Sequence, residues 1–164
     1  MSAEYPWPTK TSTIPVTLDE GATCPTRGSP DSGGLDLYAS KDTYVGSNAT
    51  LVPTGVHMAI PKGFVGLIRS RSGMAYKKNI FSEAGVIDAD YRGEIRVLLY
   101  YKATDRETVE GLHMTVNRID TPLVKKGDRI AQLVIVPVCM QECAVVESLD
   151  DTVRGAGGFG STGN

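Results

Sequence analysis

Residues 56–68 read VHMAIPKGFVGLI. Two apolar, β-branched runs, Val56–Ile60 and Phe64–Ile68, flank Pro61-Lys62-Gly63, a turn signal that separates strand-like segments. Working outward, the same signature returns at Ile95–Tyr101 and Ile130–Val136, with a shorter run at Cys143–Val146. Nothing between Pro8 and Leu67 sustains helical periodicity. With 18 Gly and 9 Pro in 164 residues, the chain is punctuated too often for a helical bundle. The expectation is an all-β domain of many short strands, a sandwich or barrel. One short helix is expected after Arg71, with Ser72 as its cap and Gly73–Lys78 supplying one or two turns.

Composition narrows the class. Hydrophobic residues make up 41% and charged residues 22%, ordinary for a globular chain with one core. No run approaches the 18 or more apolar residues of a spanning helix, so no membrane partner is expected. The start, MSAEYPWPTK, lacks the basic and apolar regions of a secretory signal, which argues for a cytoplasmic protein. A net charge of −2 gives no reason to expect binding to bulk nucleic acid. Cys24, Cys139 and Cys143 are an odd number, which suits a reducing compartment. Cys139 and Cys143 could be half of a zinc site, but only His57 and His113 remain to complete it. The favoured reading is small buried hydrophobes.

Three segments fall outside the strand pattern. Residues 1–12 read as a loosely held N-terminal arm, leaving 13–150 as the domain. Residues 102–122 are polar and poorly periodic, an insertion or extra hairpin where a plain hairpin needs only about 2–5 residues. Residues 151–164 are glycine-rich and read as a mobile tail or as a lid that folds over a ligand.

Chemistry gathers at three places. Ser70-Arg71-Ser72-Gly73 sets a guanidinium, a hydroxyl and an open backbone N–H at a helix start, a combination that suits an anion or is simply a surface arginine. If the strand is regular, Arg69 shares a face with Arg71. Gly85–Glu94 is a hairpin signal with Asp88 and Asp90 at its bend. Such a pair either forms the turn in solvent or shifts a pKa and attracts a metal. In RGAGGFGSTG (154–163), Phe159 could stack on a ring while Arg154, Ser161, Thr162 and the glycine amides meet phosphates.

Set in order, these pieces resemble the homotrimeric dUTP pyrophosphatase (dUTPase) family. Its five motifs correspond to SPDSGGLDLYAS (29–40), RSRSGMA (69–75), AGVIDADYRGEI (84–95), GDRIAQLVI (127–135) and RGAGGFGSTG (154–163). The resemblance implies a jelly-roll-like distorted β-barrel subunit that trimerises with an exchanged C-terminal arm, its active sites shared between subunits. It implies hydrolysis of dUTP to dUMP and pyrophosphate with Mg²⁺. By resemblance, Asp88 is the general base that orients the attacking water. Gly85 and Ile87 belong to the segment that reads uracil, and Tyr91 lies under the deoxyribose. Arg71, Ser72, Gly73 and Gln132 match phosphate-binding positions. Arg154, Phe159, Gly160, Ser161 and Thr162 form the lid. No direct protein ligand to the metal is expected: the phosphates carry it, with Asp36 as outer-shell support. Asp90 and Asp128 are expected to be structural.

Two departures stand out. Ser82 occupies a position where many members carry Asn, and the 102–122 segment is longer than the usual connection. That insertion leaves open a contact with a regulatory protein, as in some phage-encoded relatives, and the competing readings are a dUTP-gated regulatory protein and a dCTP deaminase of the same fold.

Overall fold

The computed structural model describes residues 13–102 and 121–158. The expected arm 1–12, most of the 102–122 insertion and the lid residues Phe159, Gly160, Ser161 and Thr162 lie outside them.

Ten strands and one helix make up the described chain. The first four strands are β1 (Val16–Leu18), β2 (Gly34–Tyr38), β3 (Thr43–Tyr44) and β4 (Thr50–Met58). Next come β5 (Phe64–Ser70), α1 (Ser72–Lys78), β6 (Ile80–Glu83) and β7 (Val86–Ile87). The last are β8 (Ile95–Tyr101), β9 (Leu123–Val124) and β10 (Arg129–Pro137). They form two four-stranded antiparallel sheets, ordered β1-β4-β8-β6 and β2-β10-β5-β7, with a small β3-β9 pair. Two sheets packed face to face around one apolar layer are the jelly-roll arrangement. Val52, Val56, Ile95, Val97 and Leu99 face inward from the first sheet, and Leu37, Ile68, Ala131 and Leu133 from the second. Intervening residues mostly point away, as a period of two requires, except at the register shifts in β4 and β10, where Thr54–Val56 and Ile130–Ala131 are buried in succession.

Local turn signals marked the ends of strands but not their destinations. Pro61–Gly63 hands the chain from β4 in one sheet to β5 in the other. The hairpin expected at 85–94 is not one: β7 pairs with β5, whereas β8 pairs with β4 and β6. The segment switches sheets at Ala84 and Gly85, both at positive φ (57° and 118°). Gly85 is required there on two counts, because an added Cβ would also lie 2.6 Å from Ile68 Cβ and 3.3 Å from its Cα.

Other expectations are corrected. Residues 143–146 form no strand; this apolar run lies exposed in an irregular segment after β10. All three cysteines are free and exposed, so they are not buried hydrophobes. Ser72 does not cap α1. The N-cap is Arg71, with no side-chain cap bond, and Asn79 closes the helix in the left-handed region by donating its N–H to the Met74 carbonyl. Asp128 is structural, as expected: its carboxylate accepts from the Lys125 N–H and pairs with Lys78 at 3.6 Å.

Candidate active site

Strand register builds the site. Across the second sheet Gln132 of β10 lies opposite Asp36 of β2 on one side and Arg69 of β5 on the other. These three share the face turned away from the core, because their neighbours Leu37, Leu133 and Ile68 point inward. At the end of β5 the chain turns into α1, and Arg71 swings back over this row. Its Nε donates to Asp36 Oδ1 at 3.1 Å and its Nη1 to the Arg129 carbonyl at 3.0 Å. Arg129 Nη1 reaches Asp36 Oδ2 at 3.3 Å, and Gln132 Nε2 reaches Oδ1 at 3.3 Å. Asp36 is only 3% exposed. A buried carboxylate at this point is tolerable because three donors satisfy it.

The consequence is geometric. Asp36 fixes two guanidinium groups and one amide at a helix start, and Arg71 keeps further N–H donors for an external acceptor. Ser72 and Gly73 follow immediately and are exposed. An added Cβ at Gly73 meets nothing within 4 Å. The subunit's own packing therefore does not demand glycine there.

The structure brings together Asp36, Arg71 and Gln132 from the expected set. Arg129 was not singled out in the sequence, although it lies in the fourth motif; the signal was its proximity to Gln132, and only the register with β2 gives it meaning. Ser82 is engaged: its N–H donates to Ser70 Oγ at 2.8 Å and its Oγ lies 3.0 Å from the same atom. That bond joins β6 to the end of β5, just before Arg71.

The third-motif segment lies at the free edge of this sheet. Ile87 pairs with Gly66 of β5, and Gly85 offers its carbonyl to the Ile68 N–H at 2.8 Å. A turn follows, closed by the Tyr91 N–H on the Asp88 carbonyl at 3.2 Å. Asp88 and Asp90 are both exposed, and among the described residues neither carboxylate has a hydrogen-bond partner. Tyr91 folds over Gly93 and donates its hydroxyl to the Glu94 carbonyl at 3.1 Å. Arg154 bonds within its own segment, Nε to the Gly157 carbonyl at 2.9 Å. No hydrogen bond or ion pair among the described residues joins it to Asp36.

Among the described residues no three His, Cys, Asp or Glu side chains cluster as a metal cage, and Asp36 already accepts from three donors. This donor set fits an ion held by its ligand's phosphates and water more than one held by protein carboxylates.

An antiparallel jelly roll whose arginines are pre-oriented by a buried carboxylate beside a helix start is a frame for an anionic ligand. A family model described as dUTPase matches residues 20–163. A probable deoxyuridine 5'-triphosphate nucleotidohydrolase of Schizosaccharomyces pombe is 46% identical over 147 residues, covering 89% of this chain and 94% of that protein. A deoxyuridine 5'-triphosphate nucleotidohydrolase of Paramecium bursaria Chlorella virus 1 is 44% identical over 147 residues, covering 89% and 94%. Among solved structures, the dUTPase of Staphylococcus bacteriophage 80alpha with dUPNHPP superposes with a TM-score of 0.77. It is 31% identical and covers 94% of this chain and 100% of that one. The dUTPase from phage phi11 of S. aureus, described as showing a species-specific insert, gives a TM-score of 0.72. Its identity is 28%, over 86% of this chain and 100% of that one. The chain belongs to the dUTPase family.

Proposed function

We propose that this protein hydrolyses dUTP to dUMP and pyrophosphate. The observation that carries the reading is the Asp36–Arg71–Arg129–Gln132 cluster in a chain that matches the dUTPase family along residues 20–163. Ile87 pairs with Gly66, toward the end of β5 away from Arg71, so the Asp88-bearing turn meets this cluster from another copy of the chain. Arg71, Gln132 and the Ser72–Gly73 backbone receive phosphate oxygens, with Asp36 holding Arg71, Arg129 and the Gln132 amide in place. Asp36 thus supports the phosphate region through Arg71, not as a metal ligand. Val86 and Ile87, anchored by β5, present the backbone that reads uracil, and Tyr91 lies under the sugar. Asp88, whose carboxylate is free of partners among the described residues, orients a water toward the α-phosphorus. The water oxygen forms the new P–O bond, its proton passes to Asp88, and the bond to the bridging oxygen breaks, releasing pyrophosphate. Mg²⁺, when bound with the substrate, neutralises phosphate charge and improves pyrophosphate as a leaving group.

Arg154 and the glycine-rich end complete the site as a lid donated from a second copy in a homotrimer. The segment after β10 supports this, because Val145, Leu149 and Val153 lie exposed on their own subunit. A cytoplasmic setting accords with three free thiols. Pyrophosphate release across dUTP, dTTP, dCTP and UTP, with and without Mg²⁺, tests the function. Selective, Mg²⁺-stimulated release from dUTP is expected; ammonia release from dCTP would overturn it.

A further inference from the structure

A second group of linked titratable side chains lies where β4 passes the segment leading into β8. β4 bulges between Pro53 and Val56, and Gly55 takes φ +65° within the bulge. The Gly55 N–H donates to Glu94 Oε1 at 2.9 Å, while its carbonyl accepts the Asp19 N–H at 2.8 Å. Two residues on, His57 Nδ1 lies 3.0 Å from the Arg92 carbonyl oxygen and Nε2 lies 3.3 Å from Asp19 Oδ1. A carbonyl and a carboxylate can only accept, so both ring nitrogens must donate. This geometry therefore calls for an imidazolium.

The groups facing the ring agree. Asp19, from the segment after β1, and Glu94, ahead of β8, are acidic. Arg96 is taken up by Glu94 at 2.7 Å. The Arg92 guanidinium is folded back onto the carbonyls of Ala89 at 2.7 Å and Tyr91 at 2.8 Å. The hydrogen bond to the Arg92 carbonyl raises the His57 pKa; desolvation opposes it, and Asp19 and Glu94 raise it further, leaving it above the ordinary 6.5.

The Arg92 carbonyl belongs to the segment that carries Asp88 and Tyr91. Resting on the reading of that segment as the part that orients water and sugar, we propose that His57 is a positioning residue for the reaction. As an imidazolium tied to Asp19, it holds the Arg92 carbonyl and fixes the far end of the Asp88–Tyr91 turn against β4. The raised pKa sets the sign: the tie is complete below pH 6.5 and is lost as pH rises through the folded value.

The test compares the full-length protein with His57→Gln and Asp19→Asn by three measurements: ring nitrogen shifts against pH, amide exchange at 88–92, and kcat and KM for dUTP from pH 6 to 9. The ring is expected to be doubly protonated at pH 6. In His57→Gln, exchange at 88–92 should quicken about fivefold and kcat fall about three- to tenfold with KM within twofold, because the turn is misplaced without losing the phosphate cradle. Asp19→Asn should lower the ring's titration and reproduce the loss only between its own titration and the parent's, the two proteins converging at high pH, where the parent's ring is also neutral. A neutral ring at pH 6, or parental exchange and kcat in His57→Gln across the range, overturns the proposal. If the unaltered protein released no pyrophosphate, the dUTP reading would fall, while ring titration and exchange would still decide the positioning role.

Discussion

Arg71 Nε, at the start of α1, sits 3.1 Å from Oδ1 of Asp36, a carboxylate on β2 that is almost wholly removed from solvent. The pair links the first and second motifs, and Arg129 closes on the other oxygen at 3.3 Å from the fourth. Three segments far apart in sequence are thereby fixed on one carboxylate.

Replacing that carboxylate tests the linkage. Asp36→Asn keeps the shape but leaves two guanidinium groups without their counter-charge. Removing one partner of a fully buried pair costs more, but Arg129 is half-exposed, so a loss of roughly 2 kcal/mol is expected. Denaturant midpoints measure it. The fall in kcat/KM for dUTP should exceed about tenfold, because Arg71 loses its fixed orientation.

Two glycines should behave oppositely. At Gly73 an added methyl meets nothing within 4 Å in the subunit, and alanine favours a helix by up to about 1 kcal/mol. Gly73→Ala is therefore expected to melt no lower than the parent while KM for dUTP rises roughly tenfold, as the methyl blocks close approach of a phosphate. Gly85→Ala, at φ +118° and against the Ile68 backbone, should cost about 2–3 kcal/mol whether or not nucleotide is present. Thermal unfolding with and without dUTP separates the two effects.

Much of this arrangement was legible in sequence, and the gaps share a cause. β8 and β10 follow from the β-branched runs at 95–101 and 130–136, because burial on a pleated sheet leaves a local pattern. The five motifs marked Asp36, Arg71 and Gln132. Arg129 was missed because its importance depends on which strand lies beside β10, and cross-sheet register has no local signal. The supposed hairpin at 85–94 failed for the same reason: Asp88–Tyr91 marks a turn, but not that the chain passes there from β7 in one sheet to β8 in the other. Apolar content misled at 139–146, where Cys139, Cys143, Val145 and Val146 are exposed. Apolar content along one chain does not say whether that chain's own core takes it up.

Glu94 gives a pH-dependent stability. Burial pushes its carboxyl pKa up, but the Gly55 N–H, Arg96 and the Thr54 N–H outweigh that and leave it below the ordinary 4.5. A depressed carboxylate contributes fully above pH 4.5, and its contribution is lost as pH falls through the folded value. Glu94→Gln should thus be less stable than the parent by about 1 kcal/mol between pH 5 and 8. The difference should shrink in acid, as thermal unfolding against pH would record.

The central claim concerns Asp88, which is exposed on the turn that follows β7. The most direct measurement is pyrophosphate release from saturating dUTP by the parent and by Asp88→Asn, with calorimetric binding of dUTP to both. The parent should turn over, and Asp88→Asn should lose about 10²–10⁴-fold in kcat while binding dUTP within threefold of the parent. Parental turnover in Asp88→Asn, or no release from dUTP by the parent, would contradict it.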